Sequence, residues 1–238
     1  MNLRLTFCFV LTACLTLPAS FAQDYSSSGG YVKDAEILSV QNKAEELFER
    51  GDYKRAHFIY RNELAPIGDK YAQYMVGFMT LTGLGAREDP VLASAWYRLA
   101  AERRTAPFIA VRDDLNGRLD AIDMERSDEL YLRLRAEFSD IVVRMREVRE
   151  DYELLHDGQT GSRTSRSSSP VLIVKPREGS SMSMDAYRGE VIRRMQKHLN
   201  FIVKTLEIER IDADNISSPQ ISALEAQVMT YVAHVDDR

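Results

Sequence analysis

Residues 72–103, AQYMVGFMTLTGLGAREDPVLASAWYRLAAER, carry the pattern that decides the fold. Apolar and small residues recur at helical spacing on both sides of a glycine-rich turn, which predicts two antiparallel helices. Gly83 and Gly85 allow a positive φ in the turn, and Asp89-Pro90 is typical of a helix N-terminus. Trp96 lies on the stripe that we expect to face the first helix, where its indole would fill the interface. Small side chains that would let the helices approach closely are found at Ala72, Gly77, Ala93 and Ala100.

A second copy of this unit precedes it at a spacing of 37 residues. Residues 51–56 (GDYKRA) align with residues 88–93 (EDPVLA), which places Asp52 against Asp89 and Ala56 against Ala93. In each copy the Asp stands where a helix begins, and its carboxylate can accept hydrogen bonds from the first free backbone N–H groups. We therefore interpret both Asp residues as helix caps, and we interpret the repeat as two stacked helical hairpins.

The better copy resembles the Sel-one-like repeat, a relative of the tetratricopeptide repeat. The residues that match the family pattern are Ala72, Gly77, Gly83, Gly85, Asp89, Ala93, Trp96, Ala100 and Ala101. The residues that depart from it are Val76, Thr80, Ala86 and Arg104. The preceding hairpin, roughly 36–65, is a degenerate copy with Ile59 in place of Trp and Glu63-Leu64 in place of Ala-Ala. The resemblance implies an α-solenoid that binds other proteins, and it implies no catalysis.

Two hairpins need a cap, because solenoids usually require about three repeats to bury a core. Residues 105–120 predict a capping helix with Phe108, Val111, Leu115 and Leu119 on one face. Residues 121–156 then predict one long amphipathic helix, either packed on the solenoid or paired with an antiparallel coiled-coil partner. Its heptad seam contains Tyr131, Leu134, Phe138, Ile141, Met145, Val148, Tyr152 and Leu155.

The last part of the chain is predicted to be a small α or α+β unit, 170–238, behind a linker. Residues 157–169 (DGQTGSRTSRSSS) have a linker composition. Residues 171–174 predict a short strand, and a helix follows from about Met184 to Thr205. Residues 206–211 (LEIERI) are consistent with a second strand or with the end of that helix. Ser218-Pro219 predicts the start of a last helix. The whole fold is thus predicted to be mainly α.

The first 22 residues, MNLRLTFCFVLTACLTLPASFA, predict a signal peptide cleaved after Ala22. Arg4 precedes an apolar run, and small residues stand before the predicted cleavage site. Residues 23–33 are then predicted to be a flexible leader, and the mature chain to be periplasmic or secreted. Residues 11–14 (LTAC) leave an alternative open, because they resemble a bacterial lipobox in which Cys14 would be lipidated and anchor the protein to the outer membrane.

Composition and motifs narrow the possible functions. The chain is 45% apolar and 28% charged, which is typical of a globular protein, and its net charge of −5 does not favour nucleic acid or an anionic membrane. No other stretch is apolar enough to span a bilayer. Motif searches give no catalytic, cofactor-binding or metal-binding candidate. Residues 212–215 (DADN) faintly resemble a calcium loop, but Ala223 replaces its bidentate Glu, so we predict a turn.

The leading hypothesis is a non-enzymatic scaffold or adaptor of a Gram-negative cell envelope that binds an unidentified protein or peptide. The first alternative is an outer-membrane lipoprotein scaffold anchored through Cys14. The second is a hydrolase that acts on an envelope polymer through the C-terminal unit, 170–238. The sequence predicts no cofactor and leaves the oligomeric state open.

Overall fold

The structure, a computed structural model, describes residues 31–156, 172–174 and 181–234, and within these residues the protein is mainly helical, as predicted. Its α-helices are α1 (Tyr31–Glu49), α2 (Tyr53–Ile59), α3 (Lys70–Thr82), α4 (Pro90–Ala100), α5 (Ala106–Asn116), α6 (Ala121–Phe138), α7 (Asp140–His156), α8 (Met184–Leu206) and α9 (Ser218–Val232). A π-helical turn (Tyr60–Leu64) and a 3-10 turn (Ala65–Ile67) follow α2, and a 3-10 turn (Ala101–Arg103) follows α4. None of the described helices combines the length and the apolarity that crossing a bilayer requires.

Several predicted features lie wholly or partly outside the described residues. The signal peptide over residues 1–22, Cys14 and the 157–169 linker are wholly outside them. Helix α1 begins at Tyr31, so the end of the predicted 23–33 leader is helical. The helix can begin this early because the chain contains no helix breaker between Gly30 and Asp34.

Helices α1 and α2 form a first hairpin, and α3 and α4 form a second one. In the second hairpin, Gly83 and Gly85 have φ values of 72° and 76°, so both adopt the left-handed conformation that favours glycine. A Cβ on Gly85 would lie 2.2 Å from the carbonyl oxygen of Tyr53, the first residue of α2. Gly85 therefore also lets the turn of the second hairpin rest against the backbone of the first.

The second hairpin is packed very closely around Trp96. A Cβ on Gly77 would lie 2.8 Å from two ring carbons of Tyr97, which leaves no room for any side chain at Gly77 without movement. Trp96 is 1% exposed, and its ring centroid is 5.2 Å from that of Phe138 in α6. Helix α5 covers the end of the hairpin through Phe108, whose ring stacks on that of Tyr74. We call the buried residues of α1–α6 the N-terminal core.

The predicted long helix over 121–156 is wrong, because the chain breaks at Ser139. Ser139 has extended backbone angles, φ −65° and ψ 154°, and separates α6 from α7. The break lets Phe138 pack on Trp96 while Asp140, two residues later, enters a buried ion network. The heptad seam continues across the break, because the spacing of apolar residues in the sequence is the same whether or not the backbone angles change at Ser139. The seam is shared between two cores: Phe138 faces the N-terminal core, whereas Ile141 and Met145 face another.

That second core, which we call the C-terminal core, is formed by α7, α8 and α9. Its buried residues include Val148 of α7, Leu199 of α8 and Leu224 of α9. The predicted domain boundary near residue 157 therefore does not separate the two cores. Helix α7 precedes this boundary but packs with the C-terminal helices. The predicted interior positions Val191, Met195, Leu199, Ile202, Ile221, Leu224 and Val228 are buried, and Tyr187 and Tyr231 are half-buried.

Two short strands stand before α8. β1 (Leu172–Val174) pairs antiparallel with β2 (Ser181–Ser183), and Ile173 lies opposite Met182. Residues 207–211 do not form a strand: α8 continues to Leu206, and Glu207 follows in the left-handed conformation with φ 55°. The amide of Ile208 donates to the carbonyl of Val203. This bond is typical of a helix C-terminus, so the LEIERI segment is a helix end.

Candidate functional site

The residues of the predicted repeat motif lie together inside the second hairpin. Asp89 caps α4, because its Oδ1 accepts from the amides of Val91 and Leu92 at 3.1 and 3.0 Å. The remaining small or aromatic members are buried or stand in the turn: Ala72, Gly77, Gly83, Gly85, Ala93, Trp96, Ala100 and Ala101. These residues hold the hairpin together.

Asp52, predicted to be the equivalent cap of α2, makes no capping hydrogen bond. Its carboxylate instead accepts from the guanidinium of Arg55, one helical turn later. The expectation was wrong because a neighbouring cation competes with the backbone amides for the same oxygens. The two aligned Asp residues therefore have different roles.

A buried ion network lies where the two cores meet. Lys70, the first residue of α3, is fully buried. Its Nζ donates to Glu102 Oε2 at 2.6 Å, to Gln73 Oε1 at 3.0 Å and to the carbonyl oxygen of Leu99 at 3.2 Å. These three bonds use all the donors of an ammonium group, so the burial of this cation is fully compensated.

Asp140, the first residue of α7, joins the same network. Its Oδ1 is 3.4 Å from Lys70 Nζ, and both of its carboxylate oxygens accept from Arg103 at 2.7 and 2.8 Å. Burial alone would raise the pKa of the Asp140 carboxyl, but Lys70 and Arg103 outweigh burial and hold that pKa below its ordinary value of 3.8. The network fastens the start of α7 to the ends of the second hairpin. We assign it a structural role.

A cluster of largely buried polar groups, two of them unpaired, lies between α1, the π-helical turn and α3. Gln41 of α1 is 9% exposed, and its Nε2 donates to Asp69 Oδ2. Asp69 Oδ1 accepts from the amide of Ala72 at 3.0 Å and so caps α3. This bond fixes the orientation of the Gln41 amide, because only nitrogen can donate to a carboxylate. The Gln41 Oε1 atom is buried and has no hydrogen-bond partner.

Two tyrosines complete the cluster. Tyr60, in the π-helical turn, is 1% exposed, and its hydroxyl has no hydrogen-bond partner. Tyr71 is half-buried, and its hydroxyl donates to Glu45 Oε1 at 3.3 Å. The two rings meet edge to face with their centroids 6.4 Å apart. We call Gln41, Glu45, Tyr60, Asp69 and Tyr71 the α1–α3 cluster.

Burial and neighbouring carboxylates act on both tyrosine hydroxyls of the α1–α3 cluster. Burial, then Tyr71 and the charges of Glu45, Asp69 and Glu49, raise the pKa of Tyr60 well above the ordinary value of 10. Burial, then Glu45 and after it Asp69 and Glu49, raise the pKa of Tyr71 in the same way. Asp69 is also close enough to Arg103 to raise the pKa of that guanidinium.

A second polar cluster lies in the C-terminal core, on α7 and α8. His198 is 2% exposed, and its Nε2 is 3.3 Å from Glu147 Oε2, but neither ring nitrogen makes a hydrogen bond of acceptable geometry. Beside it, the buried carboxylate of Asp151 accepts from Arg194. Burial lowers the pKa of His198; Glu147 and Asp151 oppose this effect, and Arg144 and Arg194 add to it.

Sequence reasoning missed the α1–α3 cluster and the ion network because their members are far apart in the chain. Gln41 and Asp69 are 28 residues apart, and Lys70 and Asp140 are further apart still. One local signal was available: Asp69 precedes α3 as a typical N-cap residue. Residues 212–215 form a turn, as predicted, in which the amide of Asp214 donates to Asp212 Oδ1.

Within the described part of the chain, no group of three or more His, Cys, Asp or Glu side chains is arranged to hold a metal ion. Comparison with known proteins finds no match to a family model, to a curated protein or to a solved structure.

Proposed function

We propose that the protein is a non-enzymatic protein–protein interaction module, exported to the envelope of a Gram-negative bacterium. Its interacting part would be a short α-solenoid of the Sel-one-like kind, made by the two stacked hairpins. The observation that carries the proposal is the close packing of the two hairpins, in which the Gly85 turn of the second rests against the backbone of Tyr53 in the first. Stacked helical hairpins of this kind form the extended surfaces on which repeat proteins bind their partners.

The other conspicuous polar cluster supports a binding role over a catalytic one. Lys70 is fully buried and its three donors are used within the protein, so the ammonium group is held in place by its neighbours. A group held in this way fixes the geometry of the hairpin. The adjacent α1–α3 cluster is then held by the same helix start, because Asp69 and Lys70 are consecutive residues at the start of α3.

Site-specific photocrosslinking in the producing cell tests the binding role. A photoreactive residue at Glu49, which is exposed at the end of α1 in the first hairpin, is expected to form a covalent adduct with another protein. The same residue at Ala223, exposed on α9, serves as the matched control and is expected to form none. Equal adducts at both positions, or none at Glu49, would contradict the proposed function.

Export and anchoring are tested separately by mass spectrometry of the N-terminus. Gln23 as the first residue would support cleavage after Ala22 and a periplasmic or secreted protein. A diacylglyceryl group on Cys14 would instead support the lipoprotein alternative, which rests on the lipobox-like residues 11–14. An intact Met1 would contradict both.

A further inference from the structure

We propose that a line of exposed cations on α8 binds an acidic helix of the partner protein. This inference rests on the proposed function and adds a second contact surface, outside the two hairpins. Arg193, Lys197 and Lys204 are all exposed, and they follow one another at spacings of four and seven residues. At about 100° per residue, the three positions lie within about 40° of one another around the helix axis. We call these three residues the α8 cation line.

The α8 cation line faces away from the C-terminal core. Met195 and Ile202 lie on the opposite side of α8 and are fully buried in that core, which holds the helix in place. From Arg193 to Lys204 the line extends about 16 Å at the rise of an α-helix. A Cβ on Gly189, one turn before the line, would meet nothing within 4 Å, so the surface beside its first member is open.

The charges of the α8 cation line are unpaired among the described residues. Arg193 donates only to the carbonyl oxygen of Gly189 in its own helix, at 3.1 Å, and the two lysines form no hydrogen bond or ion pair. On α6, by contrast, Arg133 pairs with Glu129 one turn earlier. The residue one turn before Lys197 is another cation, Arg193, and such a like-charge pair destabilises a helix. An anionic partner would relieve this repulsion.

Carboxylates beside the α8 cation line restrict the shape of that partner. Gln196 accepts from the amide of Ala213 at 2.8 Å and donates to the carbonyl of Ile211 at 2.9 Å, which holds the segment after α8 along one flank of the line. Asp212 and Asp214 of this segment are exposed. A flat anionic surface such as a membrane would meet these carboxylates together with the cations and be repelled by them. A single helix can follow the line and avoid them.

An acidic helix also matches the spacing of the α8 cation line. Carboxylates four and seven residues apart on a second α-helix have the same separations along the axis as the cations, about 6 and 10 Å. Each carboxylate can then form a charge-assisted hydrogen bond across the helix pair. Phe201 is 40% exposed and lies beside the line, between Lys197 and Lys204. An aliphatic side chain of the partner helix can cover this ring, which adds apolar contact to the ion pairs.

The test titrates the protein as isolated from cells with three helix-stapled peptides at low salt. The first peptide has Glu at three positions separated by four and seven residues, and the second has Gln at the same positions. The third has three Glu on three different sides of the helix. The first is expected to bind and to shift the NMR signals of Lys197 and Lys204, whereas the other two are expected to leave them in place. Equal binding of the first and third peptides would show attraction to net charge alone and would overturn the proposal.

Vesicles of phosphatidylglycerol provide a fourth probe, because they present a flat anionic surface. The protein is expected not to bind them under the conditions in which it binds the first peptide. Binding to the vesicles that exceeds binding to that peptide would overturn the acidic helix in favour of a membrane.

Two double variants with the same loss of charge separate the α8 cation line from the rest of the surface. Lys197→Gln with Lys204→Gln is expected to weaken the first peptide by about tenfold, because each exposed ion pair contributes a few-fold. Lys43→Gln with Lys54→Gln is the matched control in the first hairpin, where both lysines are exposed, and should leave binding unchanged. The thermal midpoint of the first double variant should be unchanged or raised, since the repulsion with Arg193 is removed. Equal weakening in both double variants, or none in the first, would overturn the cation line.

The proposed function fails differently from the cation line. A photoreactive residue at Asn200, which is exposed between Lys197 and Lys204, is expected to capture the partner that Glu49 captures. If Glu49 captures a partner and Asn200 captures none, the interaction module stands and the cation line falls. If the first peptide binds selectively and neither position captures a protein, the cation line stands and the proposed function falls.

Discussion

Lys70 of the N-terminal core and His198 of the C-terminal core are both buried, and the two cores accommodate these two side chains in opposite ways. Lys70 has all its donors paired, whereas neither ring nitrogen of His198 is hydrogen-bonded. The space around the helix glycines differs as well. A Cβ on Gly77 of α3 would lie 2.8 Å from ring carbons of Tyr97, while a Cβ on Gly189 of α8 would meet nothing within 4 Å.

This difference indicates what each core depends on. The N-terminal core depends on specific side chains that leave no space and no unpaired charge, so single substitutions there should be costly. The C-terminal core depends on a general apolar stripe shared by α7, α8 and α9, and it should tolerate substitution better. The four predictions below test this comparison, from the largest expected effect to the smallest.

Trp96→Ala should have the largest effect. The indole is almost completely buried between the second hairpin and Phe138, so its removal leaves a large cavity. We expect a loss of about 3–5 kcal/mol in the free energy of unfolding. Chemical denaturation followed by circular dichroism measures it, with Trp96→Phe as the conservative control. A loss below about 1 kcal/mol would show that the N-terminal core does not depend on this side chain.

Lys70→Met should come next. Methionine preserves most of the volume, but Glu102 and Asp140 lose the ammonium group that compensates their burial. Removing one partner of a buried ion pair typically costs about 3–5 kcal/mol, and we expect the lower end because Glu102 keeps some contact with solvent.

The matched control for this change is Lys54→Met, on the exposed side of α2. Adding Glu102→Gln to Lys70→Met should recover part of the loss, since one uncompensated carboxylate is then removed. If Lys70→Met melts like the unmodified protein, the network does not fasten the two cores.

The same contrast explains what could be predicted from the sequence. The second hairpin was predicted in detail because its determinants are close together in the chain: Gly77 and Trp96 are packed at one interface, and Asp89 caps the helix that carries Trp96. Only some members of the C-terminal core were predicted from the sequence. Its apolar positions on α8 and α9 follow from helical periodicity, but the membership of α7 depends on the break at Ser139.

Nothing in the heptad pattern signals that break, because Phe138 and Ile141 continue the same seam on both sides. The polar clusters could not be predicted at all. They pair residues from helices whose distance in space depends on the complete fold, such as Gln41 with Asp69 or Lys70 with Asp140.

The third prediction makes the same substitution in one helix of each core and expects opposite signs. Gly77→Ala should destabilise by about 1–3 kcal/mol, because the new methyl group meets the Tyr97 ring and displaces it. Gly189→Ala should stabilise by about 0.5–1 kcal/mol, since alanine favours a helix interior and the added methyl group meets nothing. Denaturation midpoints of both variants measure the difference. Equal shifts of the same sign would remove the packing contrast between the two cores.

The smallest expected effect is a pH dependence that His198 gives to the C-terminal core. Burial lowers the pKa of His198 below the ordinary value of 6.5, in spite of the opposing carboxylates of Glu147 and Asp151. As the pH falls below 6.5, the unfolded chain therefore binds this proton before the folded chain does, and the free energy of unfolding decreases until the folded pKa is passed.

The contribution of one group cannot exceed about 1.4 kcal/mol per pH unit. His198→Gln should flatten the decrease just below pH 6.5, whereas His156→Gln, at the exposed end of α7, should leave it in place. Denaturation curves between pH 5 and pH 8 give the three slopes. A slope that His198→Gln leaves unchanged would mean that the imidazole finds a partner for its proton inside the fold. The contrast with Lys70 would then be lost, because His198 would be paired inside the fold as Lys70 is.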